Sequence, residues 1–162
     1  MKRWLWVPVL AAAAGCNSLS TINEETYERM MMPLMTDVQK AEYYQYPTWT
    51  ERKAYLYKSD LIQRFELAPP AIRQAILEQR VIKGMTPEQV MMSWGLPDKR
   101  IALRPSEDPD LARQEGRKER WFYGLQITSN LGERYQRAVE FTNGVALYVR
   151  VDEPRRRVLG SP

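Results

Sequence analysis

The side chains that could carry out chemistry in this chain are few. Its 162 residues contain no histidine and one cysteine, Cys16. Nucleophilic pairs of the Ser-His and Cys-His types are therefore excluded, as are metal sites built on histidine. Glu107, Asp108 and Asp110 lie close together, but they lack the ligand spacing and the glycine of a calcium-binding loop. The sequence thus predicts no catalytic residue, no metal site, no cofactor and no enzymatic activity.

Cys16 ends a segment that resembles a bacterial lipoprotein signal. Lys2 and Arg3 give a basic start, residues 4–14 are apolar, and small residues lead up to the thiol. The apolar stretch is about half of the roughly 20 residues that cross a bilayer, so it is too short for a permanent transmembrane helix. The resemblance implies cleavage before Cys16, a diacylglyceryl group on its thiol and an acylated amino terminus, with palmitate-type chains. An ordinary free thiol in an exported tail is the alternative.

The residue after the cysteine is Asn17 rather than aspartate. In the enterobacterial sorting pattern, such a residue directs a lipoprotein to the outer membrane. Two or more acyl chains anchor a protein stably, whereas one binds only marginally. The expected location is therefore the outer membrane, with the lipid-anchored chain facing the periplasm.

Charge and size limit the remaining classes of protein. Loss of Lys2 and Arg3 with the signal lowers the formal charge from +4 to +2. Such a weak positive charge disfavours nucleic acid as a partner, because nucleic-acid-binding domains are strongly basic. About 147 residues remain after removal of the signal, which is close to the common size of one domain.

The composition suggests four segments. They are a signal peptide at 1–15, a tether with an extended Met/Tyr-rich segment at 16–49, an α+β domain with a leading helix at 50–152, and a basic tail at 153–162. Residues 30–35 combine four methionines with Leu34 around Pro33. Such a cluster suits either a docking patch or packing on the chain's own domain, and packing is favoured. The tyrosines that follow either lie at the membrane interface or wrap the domain.

Helical patterns dominate the middle of the chain. Residues 50–67 carry apolar side chains among charges and are expected to form a helix that ends at Ala68-Pro69-Pro70. A second helix is expected from Pro70 to Ile82, since its apolar residues recur at helical spacing. Gly84 is expected to close that helix in a left-handed conformation.

A short third helix is the most clearly defined element. Thr86 is a good N-cap, and Gln89 completes a Thr-x-x-Gln capping box. Val90 contributes to its apolar face. Gly95 is expected to end the helix, and Pro97 prevents its continuation.

A hairpin is expected near the end of the chain. Asn143-Gly144 separates two alternating runs, which is a strong signal for a type I′ turn. Val139 and Phe141 precede this turn with period two. The residues with the same period after it, which are expected to line the same face, are Val145, Leu147, Val149 and Val151.

The residues Gly84-Met85-Thr86-x-x-Gln89-Val90, followed by Trp94-Gly95-x-Pro97, resemble the motif of the SmpA/OmlA (BamE-type) outer-membrane lipoprotein family. In that family a strand with Trp-x-Tyr and a hairpin follow the motif. Trp121, Tyr123, Asn143 and Gly144 match them here. The resemblance covers about residues 70–152. It implies an α+β fold with two short helices on a three-stranded antiparallel sheet, here preceded by a helical or extended N-terminal extension.

The resemblance implies a scaffold or accessory factor in envelope assembly, in particular in the assembly of outer-membrane β-barrel proteins. The implied contacts are the membrane, through the lipid, and a protein of the assembly machinery. The alternative is an envelope binding or inhibitor module that recognises an exported protein or peptidoglycan. Exposed aromatic side chains on one sheet face would favour that alternative, and Phe122 and Tyr148 are the positions to inspect.

Residues 98–118 are expected to be a polar connection.

Overall fold

A computed structural model describes residues 22–103, 116–128 and 132–151 of the chain. In these ranges six α-helices precede a β-sheet. The helices are α1 (Glu24–Met31), α2 (Asp37–Tyr43), α3 (Trp49–Lys58), α4 (Leu61–Glu66), α5 (Pro70–Leu77) and α6 (Pro87–Trp94), and a 3-10 turn at Met32–Leu34 follows α1. The strands are β1 (Lys99–Leu103), β2 (Lys118–Thr128), β3 (Gly132–Thr142) and β4 (Val145–Val151).

The predicted α+β class, with helices packed on an antiparallel sheet, is confirmed. The sheet has four strands in the order β1-β2-β3-β4 rather than the expected three. The additional strand, β1, lies in the stretch at 98–118 that was expected to be a polar connection. It carries Lys99 and Arg100 and is exposed along most of its length. Edge strands often carry such charges, so β1 lacks the apolar alternation that would reveal it in the sequence.

One face of the sheet is buried beneath helices, and we call it the inner face. Its buried residues alternate along the strands and are Trp121, Tyr123, Val139, Phe141 and Ala146. Helix α6 packs against this face, with the Trp94 ring centroid 5.3 Å from that of Tyr123. The opposite side of the sheet is called the outer face.

The predicted hairpin is present, and Val149 packs on the core opposite Val139 as expected, but the face expected for Val145 and Leu147 is wrong. Asn143 and Gly144 have φ values of 52° and 75°, as a type I′ turn requires. A β-bulge then places Phe141 opposite Ala146 and Glu140 opposite Tyr148, so Leu147 is an extra residue in β4. Because one inserted residue reverses the side-chain alternation, Ala146 is buried while Val145 and Leu147 are 39% and 47% exposed.

The helices begin at strong local signals. The capping box predicted at Thr86 and Gln89 is present, and Pro87 takes the first helical position. The same device starts α2 at Thr36 and α3 at Thr48. In each case the threonine hydroxyl oxygen accepts a backbone N–H while the later side chain bonds back to the threonine N–H, which satisfies two otherwise unpaired donors.

The helices end earlier than the sequence pattern predicted. The single helix expected over residues 50–67 is broken between α3 and α4, where Asp60 has φ 60° and the Ser59 hydroxyl donates to the Tyr55 carbonyl at 2.9 Å. Helix α5 ends at Leu77, and Gln79 rather than Gly84 takes the positive φ after it. Residues other than glycine thus take the positive φ at these two helix ends.

The N-terminal extension is folded into the main core. Tyr27, Met30 and Met31 are fully buried and belong to the same hydrophobic cluster as Phe141 of the sheet. The expectation that the methionine-rich residues pack on their own domain is confirmed. Tyr43 ends α2, so only a short stretch between α2 and α3 matches the expected extended segment, and the boundary drawn at residues 49/50 falls within one core.

Some sequence expectations fall outside the described ranges. They concern the signal at 1–15, Cys16, the acidic residues Glu107, Asp108 and Asp110, and the tail at 153–162. Among the helices that are described, none is both long and apolar enough to traverse a bilayer.

Candidate binding surfaces of the sheet

The first residues of the Gly-Met-Thr motif form backbone hydrogen bonds with β4, the edge strand of the sheet. The Gly84 N–H donates to the Ala146 carbonyl, and the Ala146 N–H donates to the Met85 carbonyl, each at 2.8 Å. These bonds occupy the free side of β4 at its bulge. The Met85 side chain is fully buried. Gly84 has φ +94°, so a residue with a side chain would be strained there.

The remainder of the motif builds and ends α6. Val90 is fully buried in the core. Gly95 has φ 82° and ψ −163°, a region that only glycine occupies readily, and its N–H donates to the Met91 carbonyl at 2.8 Å. Pro97 follows, and at Asp98 the N–H donates to the Phe122 carbonyl at 2.9 Å, which starts the pairing of β1 with β2. The motif therefore joins the last helix to the sheet.

The other motif residues are also structural. Trp121 is 3% exposed, and its ring lies 4.7 Å from that of Phe141. The Asn143 side-chain oxygen accepts the Arg117 N–H at 3.0 Å, so the turn is also hydrogen-bonded to the residue before β2. None of these residues presents a reactive group to solvent.

Two arginines lie on the inner face near the end of α6. The Arg100 guanidinium is 4.3 Å from the Trp121 ring centroid, and the Arg137 guanidinium is 4.9 Å from the Trp94 ring centroid. Arg100 is exposed and Arg137 is half-buried. Both positions are brought together by strand register, since Arg100 is opposite Trp121 and Arg137 is opposite Tyr123.

The Tyr123 hydroxyl lies buried beside this pair. No hydrogen-bond partner is found for it among the described residues. Burial raises the pKa of Tyr123 above its usual value, Arg100 and Arg137 oppose that shift, and Asp98 adds to it. The hydroxyl is therefore neutral at physiological pH.

On the outer face, a row of residues that crosses all four strands has an exposed apolar side chain at each end. Ile101, Arg120, Glu140 and Tyr148 are in register, with an ion pair between Arg120 and Glu140 at the centre. Ile101 is 38% and Tyr148 is 57% exposed. These exposed side chains at both edges of the sheet make the outer face a candidate contact surface.

An aromatic pair lies in the neighbouring part of the sheet. Phe122 is half-buried, and its ring centroid is 4.7 Å from that of Tyr135. The Lys99 ammonium is 6.0 Å from the Tyr135 ring centroid. Of the two positions singled out from the sequence, Tyr148 is thus an exposed surface residue, whereas Phe122 packs on another ring.

Sequence reasoning missed the arginine pair. Arg100 lies in the strand that was expected to be a connection, and Arg137 is one of many charged residues in β3. Only the strand register shows that they share the inner face. A basic residue next to a predicted strand with alternating aromatics was the single available signal.

Groups of acidic, histidine or cysteine residues able to hold a metal ion are absent from the part of the chain that the structure describes. Comparison with known proteins returned no match: no family model, curated protein or solved structure is significantly similar to this chain. The resemblance to the SmpA/OmlA family therefore stays a prediction from its motif.

Proposed function

We propose that this chain is a non-enzymatic lipoprotein that acts as a scaffold or accessory factor in envelope assembly, in particular in outer-membrane β-barrel assembly. The observation that carries the proposal is the outer face of the sheet, where Ile101 and Tyr148 are exposed in one row. Exposure of such side chains costs solvation free energy, and contact with a partner would remove that cost.

The lipoprotein signal around Cys16 supports the location of the proposed activity. A lipid anchor confines the domain to the membrane surface, which raises its effective concentration near other membrane-bound proteins. Mass spectrometry of the mature amino terminus tests this part. A diacylated Cys16 supports it, and an unmodified Cys16 in the full chain would remove it.

A second function has its own supporting observation. An envelope binding or inhibitor module would use exposed aromatic side chains to recognise an exported protein or peptidoglycan, and Tyr148 is such a side chain. Tyrosine suits this role because it gives a large apolar contact and keeps a polar hydroxyl at its tip.

Site-specific photocrosslinking in intact cells distinguishes these functions. A photoreactive residue replaces Tyr148, and a matched variant carries it at Leu67, which is 85% exposed at the end of α4. The scaffold proposal requires an outer-membrane assembly component to be crosslinked from position 148 and not from position 67. Capture of one exported protein or of peptidoglycan from position 148 supports the binding module instead. Identical products from both positions would refute a partner surface on the outer face.

A further inference from the structure

Two arginines of the inner face lack the oxygen partners that other arginines have. Within the described residues, the arginines with a guanidinium nitrogen within 3.5 Å of an oxygen include Arg29, Arg52, Arg64, Arg73, Arg80, Arg117 and Arg120. Arg100 instead contacts the Trp121 ring and donates to the Met91 sulfur at 3.6 Å, which is a weak acceptor. Arg137 contacts the Trp94 ring. Within the described residues neither guanidinium meets a carboxylate.

The aromatic contacts hold both guanidinium groups without using their hydrogen-bond donors. A guanidinium stacked on a ring keeps its N–H groups in its own plane, where they can still bind oxygen atoms. The rings themselves are fixed. The Trp94 indole N–H donates to the Gln79 carbonyl at 2.9 Å, and the Trp121 indole N–H donates to the Glu119 carboxylate at 3.1 Å. The donors are thus preorganised for an oxyanion.

The two arginines flank one strand. Arg100 is on β1 and Arg137 is on β3, and β2 lies between them. Arg100 is opposite Trp121, and Arg137 is opposite Tyr123, two residues further along β2. Their backbones are therefore about 12 Å apart, given a strand spacing of about 4.8 Å and a rise of about 3.4 Å per residue. Alternate residues of an extended peptide are about 7 Å apart, and arginine side chains are long enough to cover the difference.

We propose that Arg100 and Arg137 form an oxyanion clamp that binds the carboxylates of an acidic segment of a protein partner. The clamp is a second site, on the face of the sheet opposite to Tyr148, and it rests on the proposed function only for the source of that segment. The Asp98 carboxylate accepts the Leu125 N–H at 3.0 Å, and within the described residues it forms no ion pair with either arginine.

The surroundings of the clamp favour a peptide over a membrane surface. Trp94 and Met91 are half-buried beside the arginines, so they offer limited apolar contact next to the charges. The more exposed apolar side chains, Ile101 and Tyr148, lie on the outer face. Exposed apolar groups around the cations would strengthen a contact with a bilayer, whereas an extended acidic segment can bind through the two guanidinium groups alone.

Binding of a defined probe to the purified full-length chain tests the clamp. The probe is a labelled octapeptide of alternating glutamate and leucine, and its control has glutamine in place of glutamate. Arg100→Gln and Arg137→Gln are each expected to weaken binding of the glutamate probe by about tenfold or more, as expected for loss of a charge-assisted contact. Arg64→Gln removes the same charge from the ion pair with Glu88, and it should leave the affinity within about twofold.

Other results would overturn the clamp. They are equal binding of the glutamate and glutamine peptides, equal losses in all three variants, or no binding by the wild-type chain. Binding of anionic phospholipid vesicles that is lost in the Arg100 and Arg137 variants, without peptide binding, would assign the arginines to a membrane contact. If the Arg137→Gln variant does not fold, peptide binding is measured on Arg100→Gln and Arg100→Lys, because Arg100 is exposed. Failure of this peptide assay would overturn only the clamp, because the probe is synthetic and the crosslinking at Tyr148 tests the proposed function separately.

Discussion

Two buried tyrosines place their hydroxyl groups in opposite situations. The Tyr123 hydroxyl has no hydrogen-bond partner among the described residues, whereas the Tyr43 hydroxyl donates to the Glu28 carboxylate at 3.1 Å. Burial of an unpaired hydroxyl costs about 1–3 kcal/mol. Tyr123→Phe is therefore expected to leave the free energy of unfolding unchanged or to raise it by about 1 kcal/mol. Chemical denaturation of the purified chain measures this change.

Tyr43→Phe is the matched control, because it removes one hydroxyl from an equally buried ring. It deletes a hydrogen bond to a charged group and should lower the free energy of unfolding by about 1.5–3 kcal/mol. If Tyr123→Phe destabilises the chain as much as Tyr43→Phe does, the Tyr123 hydroxyl has a partner that the described residues do not reveal. The contrast between the two variants isolates hydrogen bonding from ring packing.

The end of α6 depends on the backbone of Gly95. An added Cβ would meet no atom within 4 Å, so steric contact is not the difficulty. The strain comes from φ 82° and ψ −163°, which other residues adopt at a cost of about 1–3 kcal/mol. Gly95→Ala should lower the free energy of unfolding by that amount, measured by thermal and urea denaturation.

Gly144 offers a control with the same sign of φ. It has φ +75° in the hairpin turn, and an added Cβ would again meet no atom within 4 Å. Gly144→Asn should cost less than about 1 kcal/mol, because asparagine tolerates the left-handed region. An unchanged melting temperature for Gly95→Ala would show that α6 can end in another conformation.

Elements coded by neighbouring residues were predicted, and those set by distant contacts were not. The Thr86 capping box and the Asn143-Gly144 turn each depend on two to four adjacent residues, and both are present. The bulge at Leu147 shifts β4 by one residue, and the bonds of Ala146 to Gly84 and Met85 occur at that point. Those bonds join residues far apart in the sequence, so the period-two pattern alone could not reveal the shift.

At the scale of the whole molecule, one core unites the N-terminal helices with the sheet. Arg29 of α1 donates to the Met92 and Ser93 carbonyls at 3.5 Å, so a cation from the extension lies at the C-terminal end of α6. The sequence suggested a tether and an extended segment here, because small polar residues follow Cys16 and Pro47 lies among the tyrosines. The arginine pair was missed for a related reason, since its members meet only after three strands have paired.

The buried tyrosines make the folded chain sensitive to alkaline pH. The pKa values of Tyr27, Tyr43, Tyr55 and Tyr123 are raised mainly by burial. Tyr57 is exposed, and hydrogen bonding to the Glu66 carboxylate is the main cause that raises its pKa to about 12. In the unfolded chain a tyrosine loses its proton near pH 10, so above that pH the unfolded state binds fewer protons than the folded state.

The stabilising contribution of these tyrosines is therefore complete below about pH 10 and is lost as pH rises through the folded-state pKa values. Each tyrosine that ionises only on unfolding should lower the free energy of unfolding by up to about 1.4 kcal/mol per pH unit. Urea denaturation between about pH 9 and pH 12 measures this slope. Tyr123→Phe and Tyr43→Phe should each make it shallower, because each removes one such group. Tyrosinate absorbance should rise together with the loss of helical circular dichroism. Full ionisation of the tyrosines near pH 10 with the helical signal retained would contradict the buried, neutral hydroxyl groups.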